Sequence, residues 1–146
     1  MPVLGHVVLH VRDLARSKGF YGDLLGLREL GPYGSDGVVY GGGRLPAELV
    51  LLQVPTAGPV DASAAGPAVV AFHLDDGDDA ALWALHDRLV EAGSTVDGVV
   101  DDGLTHALHV TDPDGVAVAV TVTAVDEEIW RRRPDLRVFP PRPLTR

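Results

Sequence analysis

Gly5-His6-Val7-Val8-Leu9-His10-Val11-Arg12-Asp13-Leu14 is the stretch that decides the fold. Residues 4–11 read as a strand running straight into a helix, with Asp13 placed to accept from free backbone N–H groups as its N-cap. The same pattern returns at Ala68-Val69-Val70-Ala71-Phe72-His73-Leu74, again followed by acidic residues and a helical pattern. An offset of 63 residues lays His73 on His10 and Val69 on His6. Alternate residues of a strand share a face, so His6, Val8 and His10 point one way, as do Val69, Ala71 and His73. Two histidines recur, and a third position has become aliphatic.

Outward from these strands the chain reads as two copies of one plan. In the first (1–54), a helix carries Leu14, Tyr21, Leu24 and Leu25 as one apolar stripe and ends at Gly26. Short strands follow at about 27–31 and 37–41, separated by the turn cluster Gly31-Pro32-Tyr33-Gly34. Gly41-Gly42-Gly43 lacks both a lysine and a following helix, which argues against a phosphate loop, and Glu48–Val54 supplies the fourth strand. Residues 55–67, rich in Pro, Ala and Gly, read as a linker. The second copy (68–122) has a strand at 68–74, then a helix at about 78–92 with Leu82, Leu85 and Leu89 inward. A strand at 96–100 and a hairpin of 105–111 and 116–122 complete it, turned by Asp112-Pro113-Asp114-Gly115. The tail from 123, with Trp130, Arg131-Arg132-Arg133 and four later prolines, is expected to wrap as irregular chain.

Composition narrows the function. The chain has 146 residues, enough for one domain or two small modules sharing a core. It contains no cysteine, which removes disulfides, thiolate metal sites and a cysteine nucleophile together. No apolar run is long enough to span a bilayer, and the N-terminus lacks a basic region followed by an apolar stretch. A cytoplasmic protein without a membrane partner is the expectation. Net charge is −9, and residues 1–122 hold 6 basic against 17 acidic groups. Such a body does not suit a nucleic-acid backbone; it keeps the protein soluble and favours a cationic ligand by long-range steering.

Laid out this way, the chain resembles the vicinal oxygen chelate superfamily, which includes glyoxalase I, extradiol dioxygenases and bleomycin-resistance proteins. The matching residues are Gly5 to Leu14, Phe20-Tyr21, Leu24-Leu25-Gly26-Leu27, Val70-Ala71-Phe72, Ala92-Gly93 and Asp112-Pro113-Asp114-Gly115. Thr105-His106-Ala107-Leu108-His109, with Ile129-Trp130 and Pro143-Leu144, is similar to a dioxygenase-type branch. The resemblance implies an α+β fold in which two βαβββ modules form a cupped mixed sheet around a divalent metal, and a homodimer. It implies metal ligands at His6, at Val69 and at Ala119; the last two are aliphatic here. In the glyoxalase branch a further Glu lies in the fourth strand, near Glu48, and the dioxygenase branch often has a tyrosine at His109.

The inherited ion cage is therefore expected to be dismantled, because a lone imidazole supplies too few ligands. Residues four apart on a strand are about 13 Å apart, so His6 and His10 cannot chelate one ion. A rearranged Fe, Zn or Ni site would need His6 with Glu48, or His10 with His73. Metal-free acid–base chemistry is the other route, with His10, His73 and His6 as catalytic candidates. Paired strands are expected to bring His10 and His73 together. Glu48, Val69, His109, Ala119, Tyr40 and Leu52 are candidates for lining the pocket. For the rest, His106 is assigned to the outer face, His86 to solvent, and Trp83 to a subunit contact. Two functions stay open: an enzyme of glyoxalase or dioxygenase type acting on a small organic molecule, and a bleomycin-resistance-like protein that sequesters one.

Overall fold

The computed structural model describes residues 1–2, 4–75, 77–132 and 140–146. The expectations placed on Arg133 and on the Trp130 side chain lie outside the described residues. The chain divides into two compact units, one of residues 1–61 with 113–115, the other of 62–112 with 116–146. Its strands fall into two sheets, one per copy of the repeat.

The first sheet is built from β1 (Val7–Val11), β2 (Glu29–Tyr33), β3 (Gly37–Tyr40) and β4 (Leu49–Gln53), in the order β1-β4-β3-β2. β1 runs parallel to β4, and the other pairs are antiparallel. Between β1 and β2 lies α1 (Leu14–Lys18), started by Asp13, whose carboxylate accepts from the Arg16 N–H at 3.0 Å. The expected single α-helix does not continue. Residues Gly19–Leu24 form a π-helical turn, with Leu25 N–H donating to Phe20 C=O at 2.9 Å. The wider turn re-aims the stripe: Ser17, Phe20, Tyr21 and Leu25 are buried, and Phe20 and Tyr21 meet edge to face at 5.0 Å. Gly26, at φ 80°, then ends the helix as expected.

The proposed turn at 31–34 is also displaced. Gly31 to Tyr33 belong to β2, because a bulge between Glu29 and Gly31 carries the strand on, and the turn falls at 34–36. Pro32 is tolerated there because β2 is an edge strand. Gly37 has no substitute. A Cβ there would stand 2.8 Å from the backbone oxygens of both Leu51 and Tyr33.

The second sheet holds β5 (Val70–His73), β6 (Thr95–Asp101), β7 (Thr105–Thr111), β8 (Ala117–Thr123) and β9 (Arg142–Pro143), ordered β5-β8-β7-β6-β9. Between β5 and β6 runs α2 (Asp79–Glu91), capped by Asp78 and closed by Gly93 at φ 75°. Leu82, Leu85 and Leu89 of α2 are buried, as are Leu108, Val110, Val118, Val120 and Val122 of the sheet. At roughly 2–3 kcal/mol per fully buried Leu or Val side chain, this apolar layer is the main stabiliser of the unit. The described parts of the tail are more regular than expected. They contain α3 (Glu127–Arg132) and β9, and Leu144 N–H donates to Val99 C=O at 2.9 Å alongside β6.

In both units one sheet face meets the helix, and on the other face the first strand of the unit exposes its side chains while the inner strands are buried. Val7, Leu9 and Val11 alternate with the exposed Val8 and His10; Val70 and Phe72 alternate with the exposed Ala71 and His73. The two-residue pleat thus sets the histidines of both copies on the open faces, as the sequence implies.

Candidate functional site

The second sheet's open face follows from its register. Ala71 lies beside Ala119, which lies beside His109, which lies beside Gly98. The next row is His73, Thr121, Ala107 and Val100. This is a floor of small side chains carrying two imidazoles, two strands apart or about 10 Å across the sheet. The His73 ring is held at both nitrogens: Nδ1 lies 3.1 Å from Thr121 Oγ1, and Nε2 lies 3.4 Å from Thr123 Oγ1. Thr121 Oγ1 in turn donates to the Phe72 carbonyl at 3.3 Å. The two threonines were absent from the candidates read from sequence. Their signal was available, since Thr121 and Thr123 share the parity of Ala119 on the strand next to His73.

On the first sheet's open face stand Val8 and His10, with Leu52 beside His10 in register. His6 precedes β1 and is exposed. Among the described residues, no side-chain hydrogen bond reaches His6, His10 or His109. His10 belongs to the first unit and His73 to the second, and β1 and β5 are edge strands of separate sheets. Within its own unit β1 pairs with β4, and β5 pairs with β8.

Two other candidates have different duties. Tyr40 is 1% exposed on the helix-facing side, where a Cβ on Gly22 would lie 3.4 Å from its hydroxyl. It is a core residue of the first unit and does not line the pocket for which it was a candidate; an apolar run such as Gly37-Val38-Val39-Tyr40 carries no phase from which to choose its face. Its hydroxyl is buried without a hydrogen-bond partner among the described residues. Burial, then the nearby Glu29 and Asp23 charges, push its pKa up to about 12. Glu48 accepts from the Gly42 N–H and pairs with Arg44 Nε at 3.0 Å, so its carboxylate fastens the triglycine loop.

His106 faces the helix, as assigned, and there it acquires a partner that sequence did not show. Its Nδ1 lies 2.6 Å from Asp79 Oδ1, and its Nε2 lies 3.9 Å from Asp101 Oδ1. The adjoining turn is fastened by Asp102, which accepts from Leu104 N–H, Thr105 N–H and Thr105 Oγ1. Burial works against the Asp102 charge, but the hydrogen bonds from Thr105 and Leu104 outweigh it and hold its pKa below the ordinary carboxylate value. His86 is half-buried rather than solvated, with its ring 5.1 Å from Trp83 and its Nδ1 3.0 Å from Asp87. Trp83 is met by this chain itself: the Arg146 guanidinium lies 4.9 Å over its ring and pairs with Asp87.

The donor set does not fit a metal of the expected kind. The positions of Val69 and Ala119 offer no donor atom, Ala119 is 3% exposed between Ala71 and His109, and Glu48 is engaged by Gly42 and Arg44. Among the described residues no three His, Asp or Glu side chains are grouped so as to hold an ion. Among them, too, no helix is long and apolar enough to cross a membrane.

Strand order, the paired parallel β1–β4 and β5–β8 ladders and the repeated capped helix define one class. A family model of the Glyoxalase/Bleomycin resistance protein/Dioxygenase superfamily matches residues 3–120, and the chain belongs to that superfamily. Among solved structures it is similar to a glyoxylase/bleomycin resistance protein/dioxygenase domain from Frankia sp. EAN1pec. The two are 25% identical over 84% of this chain and 98% of that one, with a TM-score of 0.68. A glyoxalase/dioxygenase from Nostoc punctiforme is 19% identical over 84% and 92% of the respective chains, with a TM-score of 0.70. Lactoylglutathione lyase from Agrobacterium tumefaciens is 21% identical over 88% and 96%, with a TM-score of 0.61. No curated protein matches the chain.

Proposed function

We propose that this superfamily member acts on a small organic molecule held against the open face of its second sheet, by acid–base chemistry at His73 that needs no metal ion. The observation that carries this reading is the anchored imidazole: His73 is exposed, yet both ring nitrogens lie within hydrogen-bond distance of threonine hydroxyls. An oriented imidazole is suited to proton transfer at neutral pH, and enolisation or isomerisation of a small carbonyl compound needs no more than that. The exposed Ala71 beside His73 leaves room for a ligand at the edge of the sheet, next to the small, buried Ala119 and Ala107, with His109 two strands away. On the first unit, His10, His6 and Leu52 remain candidates for that unit's own ligand contacts. The aliphatic Val69 and Ala119, and the commitment of Glu48, support metal independence.

Exchange of carbonyl α-protons with deuterium, followed by NMR over a panel of small ketoaldehydes and hydroxyketones, tests this directly. Activity is expected to survive chelation and to fall about 100-fold or more in His73→Ala. Stoichiometric Fe, Zn or Ni in protein purified without a His-tag, with activity lost on its removal, would defeat the metal-free reading. The second reading, sequestration, is favoured by the apolar Val69 and Ala119. It wins if His73→Ala only weakens binding and no exchange is catalysed.

A further inference from the structure

We infer that Thr121 is a positioning residue that fixes the tautomer of His73, presenting Nε2 as the proton acceptor for ligands that bring a hydroxyl group. This rests on the assignment of His73 as the acid–base group, and it adds which nitrogen works and what it recognises. The argument starts from the single proton of each hydroxyl. Thr121 Oγ1 lies 3.3 Å from the Phe72 carbonyl, which can only accept, so the hydroxyl proton goes there. Its lone pair then faces His73 Nδ1 at 3.1 Å, and that contact is a hydrogen bond only if Nδ1 carries the ring proton. In a neutral imidazole the other nitrogen is then bare. Nε2 therefore accepts, and its resting donor is the Thr123 hydroxyl at 3.4 Å.

The order carbonyl, hydroxyl, imidazole, hydroxyl runs from Phe72 of β5 through Thr121 of β8 to His73 and out to Thr123. It resembles in form any arrangement in which a base is oriented by a third group. The bond at the orienting end is the shorter, and the one at the outer end is long for O–H···N. Thr123 is exposed and sits at the end of β8, so it yields its place readily. A ligand O–H that replaces it donates to Nε2. Proton transfer then leaves an oxyanion on the ligand and an imidazolium whose Nδ1–H still donates to Thr121, and return of the proton restores the starting state. The chemical class recognised through Nε2 is an enol, phenol or carbonyl hydrate; an ether has no hydroxyl proton to give.

Nitrogen-15 NMR of the intact protein reads this without any turnover. Two-bond proton–nitrogen correlations, taken above the ordinary imidazole titration range and assigned with His73→Gln, should show His73 with its proton on Nδ1. Thr121→Val should abolish that preference, and Thr121→Ser should restore it, which a merely structural role for the threonine does not predict. Phenol should shift the Nε2 resonance and anisole, lacking the hydroxyl proton, should not. A wild-type ring protonated on Nε2, a Thr121→Val ring unchanged from wild type, or equal responses to phenol and anisole would each overturn the inference. Because the tautomer is measured on the resting protein, absence of catalysis in the exchange assay would leave this result standing on its own.

Discussion

His10 and His73 hold the same place in two copies of one design, and their neighbours make them different. Each follows an apolar strand, each faces the open side of its sheet, and each is paired in parallel with the last strand of its copy. Beside His10 in that register is Leu52; beside His73 is Thr121. A leucine can only pack, whereas a threonine can direct a proton. The first unit places its polar chemistry elsewhere, in the buried group where Arg12 Nε donates to Asp114 Oδ1 at 2.9 Å and the fully buried Ser17 donates to Asp114 Oδ2 at 3.5 Å. Duplication supplied two imidazoles, and the neighbouring strand decided which one has an assigned proton.

The comparison can be broken or sharpened by substitution, beginning with the largest effect. Leu108→Ala, at a side chain with no exposed surface in the second unit, should cost about 3 kcal/mol. Urea unfolding followed by Trp83 fluorescence would measure it, and a loss under 1 kcal/mol would contradict the burial. Asp114→Ala should cost about 2 kcal/mol, because it strands the buried Ser17 hydroxyl and removes charge-assisted bonds from Arg12. The figure stays modest because the Arg12 side chain is 41% exposed and returns to water.

Leu52→Thr tests the asymmetry itself. It should give His10 a hydroxyl neighbour and shift its tautomer in the same nitrogen-15 spectrum, at a cost of about 1 kcal/mol in lost packing. An unmoved His10 would mean that the register alone does not set the proton.

The smallest effect at neutral pH concerns Tyr40. Its folded pKa, about 12, stands above the ordinary 10.0, so the buried neutral phenol favours folding below pH 10. As pH rises from about 10 toward 12 the unfolded chain ionises first, and that contribution is lost. Tyr40→Phe should remove this alkaline loss while changing stability at neutral pH by no more than about 1 kcal/mol, since the hydroxyl has no partner to lose. Absorbance titration of the phenolates beside unfolding at each pH would show both.

Features governed by local rules were legible in the sequence. Asp13 and Asp78 cap their helices, Gly26 and Gly93 close them, Gly115 takes the positive φ of its turn, and the pleat gives His10 and His73 their direction. Features that depend on what lies opposite were not. The π-helical turn arises where Phe20 and Tyr21 must both reach the core, which no helical period encodes. Tyr40 follows the phase of β3 against β4, and that phase is invisible in an all-apolar run. The Thr121 and Thr123 contacts come from a register between strands 48 residues apart in the chain, as measured from His73 to Thr121.

The Asp114 anchor has a bearing on how the protein is made. A ribosome delivers β1, α1 and the rest of the first sheet early, and Ser17 and Arg12 emerge with them. The carboxylate that satisfies them arrives only after the second helix and most of the second sheet have been translated. Until then the nascent first unit can give these protons only to water, so its bonds to Asp114 form after the second helix and β5 to β7 have been made.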